Sequence, residues 1–362
     1  MGFKNVRFYN YRNLKDVEVS LDSPEIFLIG DNGQGKTNFI ESLYIICYGS
    51  SFRTKQDRRL IREGQETALI ESVTEEDGFA RKTSVKMSAG DKKEIRVDGS
   101  PVYDRKELIG NTPCILFSHG DMEYVTGPPE RRRRFLNQTM SLFDPFFIDL
   151  LRHYVRVLKN RNSLLRDRRY ELLDVYDQKL VELGLELQRR RREATVEFSR
   201  LFTPLYERIS GSDSELRIEY SPSWKELDDP DRVLSLLLGQ RELDKSQETT
   251  TSGPHRDSIR FLIGKRDFTH FASTGQLRLV SLVLRVTQAL YVQSRSGKKP
   301  VLLLDDVLLE LDRTRKRAFL EALPEYDQAV FSFLPTEEYE DYRKAATIGY
   351  TVSNGELSSW SA

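Results

Sequence analysis

Gly30, Gly35, Lys36 and Thr37 stand at the spacing G-x-x-x-x-G-K-[ST], inside IFLIGDNGQGKTNFIESL over residues 26–43. Residues of these types at this spacing bind a triphosphate. Backbone N–H groups of the loop and of a following helix N-terminus converge on phosphate oxygens, Lys36 adds a compact positive charge, and Thr37 offers a hydroxyl to Mg²⁺. Asp31, Asn32, Gly33 and Gln34 complete the loop, and its glycines let the main chain approach the phosphates closely. Far downstream, VLLLDD at 301–306 is an apolar run that ends in two carboxylates. Asp305 fits the magnesium-side aspartate that pairs with Thr37, and Asp306 would face the γ-phosphate and position water. Lys36 and Asp306 are therefore the candidate catalytic residues, and Thr37 and Asp305 the candidate metal ligands.

A buried strand, a tight loop and a helix must hold these groups. Residues 26–29 read as the strand, and Ile40, Leu43 and Tyr44 repeat at helical spacing after Thr37. FKNVRFYNY and LKDVEVSL alternate ahead of them, and ALIESV, TSVKMS and EIRVDG predict an antiparallel patch over 67–103, broken at Asp77–Gly78, Gly90–Asp91 and Asp98–Gly99. From Pro129 to about Ser210 the pattern is long, charged and helical. Strand pattern returns at 215–220 and 258–263, an amphipathic helix is predicted over 274–294, and a helix at 313–323, a strand at 329–333, a short helix and a last strand close the chain. The predicted organisation is a discontinuous head, 1–128 with 211–362, and a helical lobe over 129–210.

Lys+Arg and Asp+Glu are equal at 56, so only local asymmetry can mark a polyanion site. No apolar signal core opens the chain and no run reaches the roughly 18 apolar residues of a membrane span, so the expectation is a cytoplasmic protein without a membrane partner. Cys47 and Cys114 lack metal-ligand spacing. The densest basic runs are Arg131–Arg134 and Arg189–Arg192. Successive helical arginines fan around the axis and cannot all meet one partner, yet their forks suit phosphate oxygens. Arg53, Lys55, Arg131, Arg132, Arg133, Arg161, Arg189 and Arg190 are thus candidates for DNA backbone contact, without a base-reading motif. His255, in GPHRD, has no nucleophile partnered to it, which favours a structural or nucleotide-edge role.

Phe271-Ala-Ser-Thr-Gly-Gln276 resembles the signature of ATP-binding-cassette ATPases, and LELD at 309–312 resembles the loop after their second motif. With NYRNL (10–14), GDNGQGKTNFIESLY (30–44), GSSFRT (49–54), GPPERRRRFLN (127–137), KNRNSLL (159–165), GPHRD (253–257) and VLLLDDVLLELD (301–312), the chain resembles the RecF family of bacterial recombinational-repair ATPases. The resemblance runs in order and spacing to about residue 330. It implies an α/β fold, an ABC-type P-loop ATPase head of the SMC/Rad50-like kind with an inserted α-helical lobe acting as a DNA-clamp jaw. It also implies ATP and Mg²⁺ as cofactors. Two copies would sandwich ATP, with Gly30–Thr37 of one and Ser273, Gly275 and Gln276 of the other on the γ-phosphate. The ATP-driven homodimer would close on duplex or gapped DNA, near the nucleoid, and support RecA loading with RecO/RecR. Asp306 stands where many cassette ATPases carry Glu, Leu309 where a small polar residue is expected, Ser332–Pro335 where His or Thr reaches the γ-phosphate, and Ser118–Asp121 where Pro-Glu-Asp is expected. Weak, DNA-dependent ATP hydrolysis follows as the expectation. The alternatives are a binding-only switch, a transporter-type cassette ATPase, or a P-loop kinase, which would need an acceptor pocket.

Overall fold

The computed structural model describes residues 2–76, 78–90, 93–109, 113–225, 228–309 and 311–360. Asp77 and Asp91, placed above in turns, and Glu310 of LELD lie outside them.

In chain order, strands β1 (Gly2–Tyr9), β2 (Glu18–Ser20) and β3 (Glu25–Ile29) lead into helix α1 (Lys36–Tyr48). Strands β4 (Thr67–Glu76), β5 (Phe79–Ser88), β6 (Lys93–Val97) and β7 (Ser100–Pro101) follow, then α2 (Lys106–Ile109), β8 (Cys114–Phe117) and α3 (Glu123–Thr126). Helices α4 (Pro129–Ser141), α5 (Pro145–Arg166) and α6 (Leu173–Ser210) precede β9 (Leu216–Ser221), α7 (Pro230–Gln247), β10 (Ser258–Ile263) and β11 (Arg266–Asp267). The chain ends with α8 (Thr274–Ser296), β12 (Val301–Leu304), α9 (Arg313–Ala322), β13 (Gln328–Phe333), β14 (Ile348–Ser353) and β15 (Glu356–Ser359).

Two compact units divide the chain, Met1–Asp121 with Gln288–Ala362, and Met122–Thr287. The first unit holds two sheets. The antiparallel one, in the order β2-β1-β4-β5-β6-β7, follows from alternation, since Ala68, Ile70, Ser72 and Thr74 of β4 are buried between partly exposed neighbours. The other has the order β15-β14-β3-β13-β12-β8 and is parallel except for β15. Its strands β3, β8, β12 and β13 are buried along their whole length, which is why they read as unbroken apolar runs. Because β3 and β12 run the same way, Ile29 and Leu304 end on one edge of the sheet. The loop at 30–35 and the carboxylates at 305–306 emerge there, where ligands bind in open parallel sheets.

The second unit corrects the expected boundaries. It takes 122–128 and 211–287 as well as the helices of 129–210, and its edge at 287/288 falls inside α8. The strands between residues 211 and 287 do not rejoin a sheet of the first unit. β9, β10 and β11 form a three-stranded antiparallel sheet of their own, with Ser258 opposite Ser221 and Ile263 opposite Leu216. Caps fix the helix starts: Asp144 accepts from the N–H groups of Phe146 and Phe147 ahead of α5, and Asp229 does the same for Asp231 and Arg232 ahead of α7, each with proline at the first position.

Buried polar groups tie this unit together. Asp257 accepts from Gln188 Nε2 at 2.7 Å, Arg191 Nη1 at 2.8 Å, the Ser223 N–H at 2.8 Å and the Tyr220 hydroxyl. His255 Nε2 donates to the Thr250 carbonyl at 2.9 Å, which leaves Nδ1 to accept from the Tyr154 hydroxyl at 2.8 Å. Burial pushes the His255 pKa down to about 4, so the ring is neutral and part of the fold.

Candidate nucleotide site and nucleic-acid surface

The loop between β3 and α1 is shaped by its glycines. Gly33 has φ 79° and Gly35 φ 125°, values that L side chains rarely adopt. A Cβ on Gly30 would lie 2.2 Å from the Val352 carbonyl oxygen of β14, so the strand order of the sheet itself forbids a side chain there. Gly30→Ala is expected to cost about 1–3 kcal/mol through forced movement of β14. A denaturation midpoint equal to wild type would show that β14 yields without cost.

Lys36 is 3% exposed, and its ammonium donates to the Gly30 carbonyl at 2.6 Å and the Asp31 carbonyl at 3.2 Å. It curls back over the loop that would receive phosphate, a compact charge held by neutral carbonyls that a more strongly charged acceptor can replace. Thr37 Oγ1 donates to Asp305 Oδ1 at 2.9 Å across 268 residues of chain. A hydroxyl and a carboxylate side by side are hard oxygen donors of the kind Mg²⁺ takes, in company with water and phosphate oxygens. Among the described residues no group of three or more His, Cys, Asp or Glu is placed to hold a metal ion. Burial first, and the charge of Asp306 second, push the Asp305 pKa up to about 6, while Thr37, Arg53 and Lys36 act in the opposite direction. A carboxylate so poised is short of positive charge, and a divalent cation would supply it.

Asp306 lies 3.8 Å from the Lys36 ammonium and adopts φ 51°, a left-handed conformation. Ser332, on β13, holds it there. The Asp306 N–H donates to Ser332 Oγ at 2.7 Å, and that hydroxyl donates to Asp306 Oδ1 at 2.8 Å. The stretch that appeared to lack a γ-phosphate contact thus contributes a residue that aims the candidate catalytic carboxylate. Nothing in an apolar strand such as AVFSF distinguishes Ser332 until its neighbour across the sheet is known.

A second residue missed in the sequence is Glu41, a fully buried carboxylate on α1. It accepts from the Tyr11 hydroxyl at 3.0 Å, from Arg12 Nε and Nη2 at 3.0 Å each, and from Ser51 Oγ at 2.5 Å. An acidic residue on the apolar face of a helix was the available signal. Glu41 fastens NYRNL and GSSFRT to the phosphate-loop helix. Gln34 ties the other side: its Oε1 accepts from the Asn354 N–H at 2.7 Å and its carbonyl from the Gly355 N–H at 2.9 Å. Asp31, Asn32 and Gly33 are exposed at the rim.

The remaining phosphate candidates lie in the second unit. Ser273 Oγ accepts from the Gln276 N–H at 3.3 Å, and Gln276 Oε1 accepts from the Ser273 N–H at 2.8 Å, a reciprocal capping box at the start of α8. Both side chains therefore preset a helix end, and Ser273, Thr274, Gly275 and Gln276 are all exposed. A Cβ on Gly275 would meet nothing within 4 Å, so the main chain there is open to an incoming group.

The basic candidates separate sharply. Arg161 is 0% exposed and donates to Asp177 at 2.6 Å, Asp244 at 2.7 Å and Thr250 at 2.8 Å, so its expected DNA contact is corrected: it is a core residue. Arg132 donates to the carbonyls of Ile259 and Gly127, and Arg133 to that of Asp257 at 2.6 Å; burial lowers both pKa values. Arg189 is clasped by Glu186 and Glu193 on its own helix, and Arg190 by Glu186 and Asp144. Arg131 pairs with Glu123 at 3.2 Å. Arg53 Nη1 donates to Asn38 Oδ1 at 2.7 Å and lies 3.7 Å from Glu41, so it borders the nucleotide loop. Lys55 is exposed. No helix among the described residues is long and apolar enough to cross a membrane.

The family profile described as RecF/RecN/SMC N terminal domain matches residues 3–354. The chain is 40% identical over 346 residues to the DNA replication and repair protein RecF of Treponema pallidum (strain Nichols), across 96% of this chain and 98% of that one. It is 33% identical over 353 residues to the protein of the same name from Leptospira interrogans (serovar Lai, strain 56601), across 94% of each. Among solved structures, the recombination mediator protein RecF with ATP, of the RecFOR pathway, matches with a TM-score of 0.89 at 26% identity, over 99% of this chain and 98% of that one. An Smc head domain from Pyrococcus furiosus, with a TM-score of 0.57 at 14% identity over 100% and 97% of the two chains, shares the fold alone. The fold is accordingly the expected α/β, ABC-type head of the SMC kind, and the transporter and kinase readings fall away. The chain belongs to the RecF family of DNA replication and repair proteins.

Proposed function

We propose that the protein is an ATP-gated DNA clamp of recombinational repair. Residues 30–37 cradle the phosphates of ATP, Thr37 and Asp305 hold Mg²⁺, and Ser273, Gly275 and Gln276 of a second copy complete the γ-phosphate shell. Two copies so joined close on the backbone of duplex or gapped DNA, and partners of the RecO/RecR kind then support RecA loading. The observation that carries this reading is the division of labour within one chain. The cradle with its Thr37–Asp305 pair belongs to one unit, while the capped, exposed start of α8 belongs to the other and presents open backbone to an anion.

Hydrolysis in this reading is slow, well below the enzyme median of about 10 s⁻¹. Asp306 is one methylene shorter than Glu and is held by Ser332, which limits its reach toward an attacking water. Light scattering with short duplex DNA tests the switch. Doubled mass with ATP, absent with ADP or without nucleotide and absent in Lys36→Arg and Ser273→Arg, is the expected result. A monomer throughout, with nucleotide still bound, would leave a cradle without a switch and overturn the clamp.

A further inference from the structure

Seven of the eight arginines in the dense runs are engaged by carboxylates or carbonyls of the protein itself, and Arg134 alone is exposed without a partner among the described residues, so an extended cationic surface must lie elsewhere. Helix α5 supplies it. From Leu150 to Arg166 the chain carries no Asp or Glu, while Arg156, Lys159 and Arg166 are exposed. At 3.6 residues per turn these three fall within an arc of about 80°, and at 1.5 Å per residue they span about 15 Å. Among the described residues none of the three has a side-chain partner. The opposite face of the same helix carries Arg161, whose charge is spent on Asp177 and Asp244 in the core. Carboxylates bound the stripe rather than interrupt it: Asp149 lies before it, and Asp167, which accepts from Ser163 at 3.1 Å, lies just beyond. Arg152 shares the face and is already engaged. Arg168 and Arg169 extend the positive charge past the helix end, Arg169 with Glu171 at 3.8 Å.

We infer that the outer stripe of α5, Arg156, Lys159 and Arg166, is the surface on which the second unit takes the sugar-phosphate backbone of duplex DNA. This rests on the clamp reading above and names the surface it uses. The spacing favours a nucleic acid over an acidic protein. About 15 Å of helix covers four to five phosphates of one strand at 3.4 Å each. The stripe itself is made of flexible cations, flanked by one exposed aliphatic side chain, Val155, with the exposed ring of Phe146 at the far end of the helix.

Fluorescence anisotropy of a short labelled duplex with the full-length protein and ATP, over a range of salt, tests it. The triple variant Arg156→Gln, Lys159→Gln, Arg166→Gln is expected to reduce the log–log salt slope by about 2–3 and to raise Kd at low salt at least about ten-fold. Its ATP affinity, measured alongside, stays at the wild-type value. Arg189→Gln with Arg190→Gln, the internally paired arginines, is expected to keep the wild-type slope. An unchanged slope in the triple variant, with wild type binding duplex, overturns the surface and leaves the clamp standing. Absence of duplex binding by wild type overturns both. Intact duplex binding with lost binding of poly-glutamate would assign the stripe to an acidic protein instead.

Discussion

Asp305→Asn is expected to stabilise the nucleotide-free protein and to remove the Mg²⁺ dependence of ATP binding proposed above. The wild-type carboxyl is buried beside Asp306, and its pKa of about 6 lies roughly two units above that of a free aspartate. Each unit is worth about 1.4 kcal/mol, so holding Asp305 ionised at pH 7 costs of order 2–3 kcal/mol. The amide keeps an oxygen to accept from Thr37 and loses the repulsion. The sign fixes the pH window. A carboxyl whose pKa is raised on folding lends its full stability below about pH 4 and loses it as pH rises through about 6. The melting temperatures of the two proteins are therefore expected to coincide near pH 4 and to separate by about 4–12 °C at pH 7, the variant being higher. Equal melting at pH 7, or a gap that survives at pH 4, would disprove the electrostatic origin. In the proposed site the same substitution removes the carboxylate assigned to Mg²⁺, so ATP binding by the variant is expected to become insensitive to Mg²⁺.

Arg161→Ala is expected to destabilise the second unit by about 3–5 kcal/mol, against less than about 1 kcal/mol for Arg189→Ala. Both are arginines in helices with carboxylate partners, and burial alone separates them. Arg161, Asp177 and Asp244 are all fully buried, whereas Arg189 is 54% exposed. Removing the guanidinium leaves Asp177 with Arg241 and Asp244 with Thr251, but each loses a charge partner where water cannot replace it. Arg161→Met, which restores volume without charge, is expected to lose nearly as much. Denaturant titration of the three variants decides the matter, and equal losses at positions 161 and 189 would refute the core role. Weak DNA binding by an Arg161 variant would report a damaged fold and not a lost contact.

The strand, loop and helix of the candidate nucleotide site were legible because they are written in one short segment. Strand, glycines, Lys36, Thr37 and helix are contiguous, and β3 and α1 begin within a residue of where their patterns place them. VLLLDD was legible too, since a buried parallel strand leaves an unbroken apolar run. What pattern cannot supply is the partner. The strands at 215–220 and 258–263 were visible, yet nothing in them says that they pair with each other and belong with α6. The helix at 230–247 went unassigned although Asp229–Pro230 is a helix-start signal. Ser332 and Glu41 matter through residues far away in sequence, and the arginine runs look alike until their carboxylates are located. Charge density in a sequence counts cations, whereas a phosphate meets only those left unpaired at the surface.

The order of strands in the parallel sheet also governs how the protein is made. β3 lies between β14 and β13, with Ile26 opposite Ile348 and Val330. At 5–20 residues per second, translation delivers Val330 roughly 15–60 s after Ile26. Through that interval EIFLI is an apolar strand with neither hydrogen-bonding neighbour. Residues 122–287, continuous in the chain, are finished sooner and can close on their own contacts first. The first unit therefore matures last although its residues emerge first, and a nascent chain arrested before residue 328 exposes the strand most prone to aggregate.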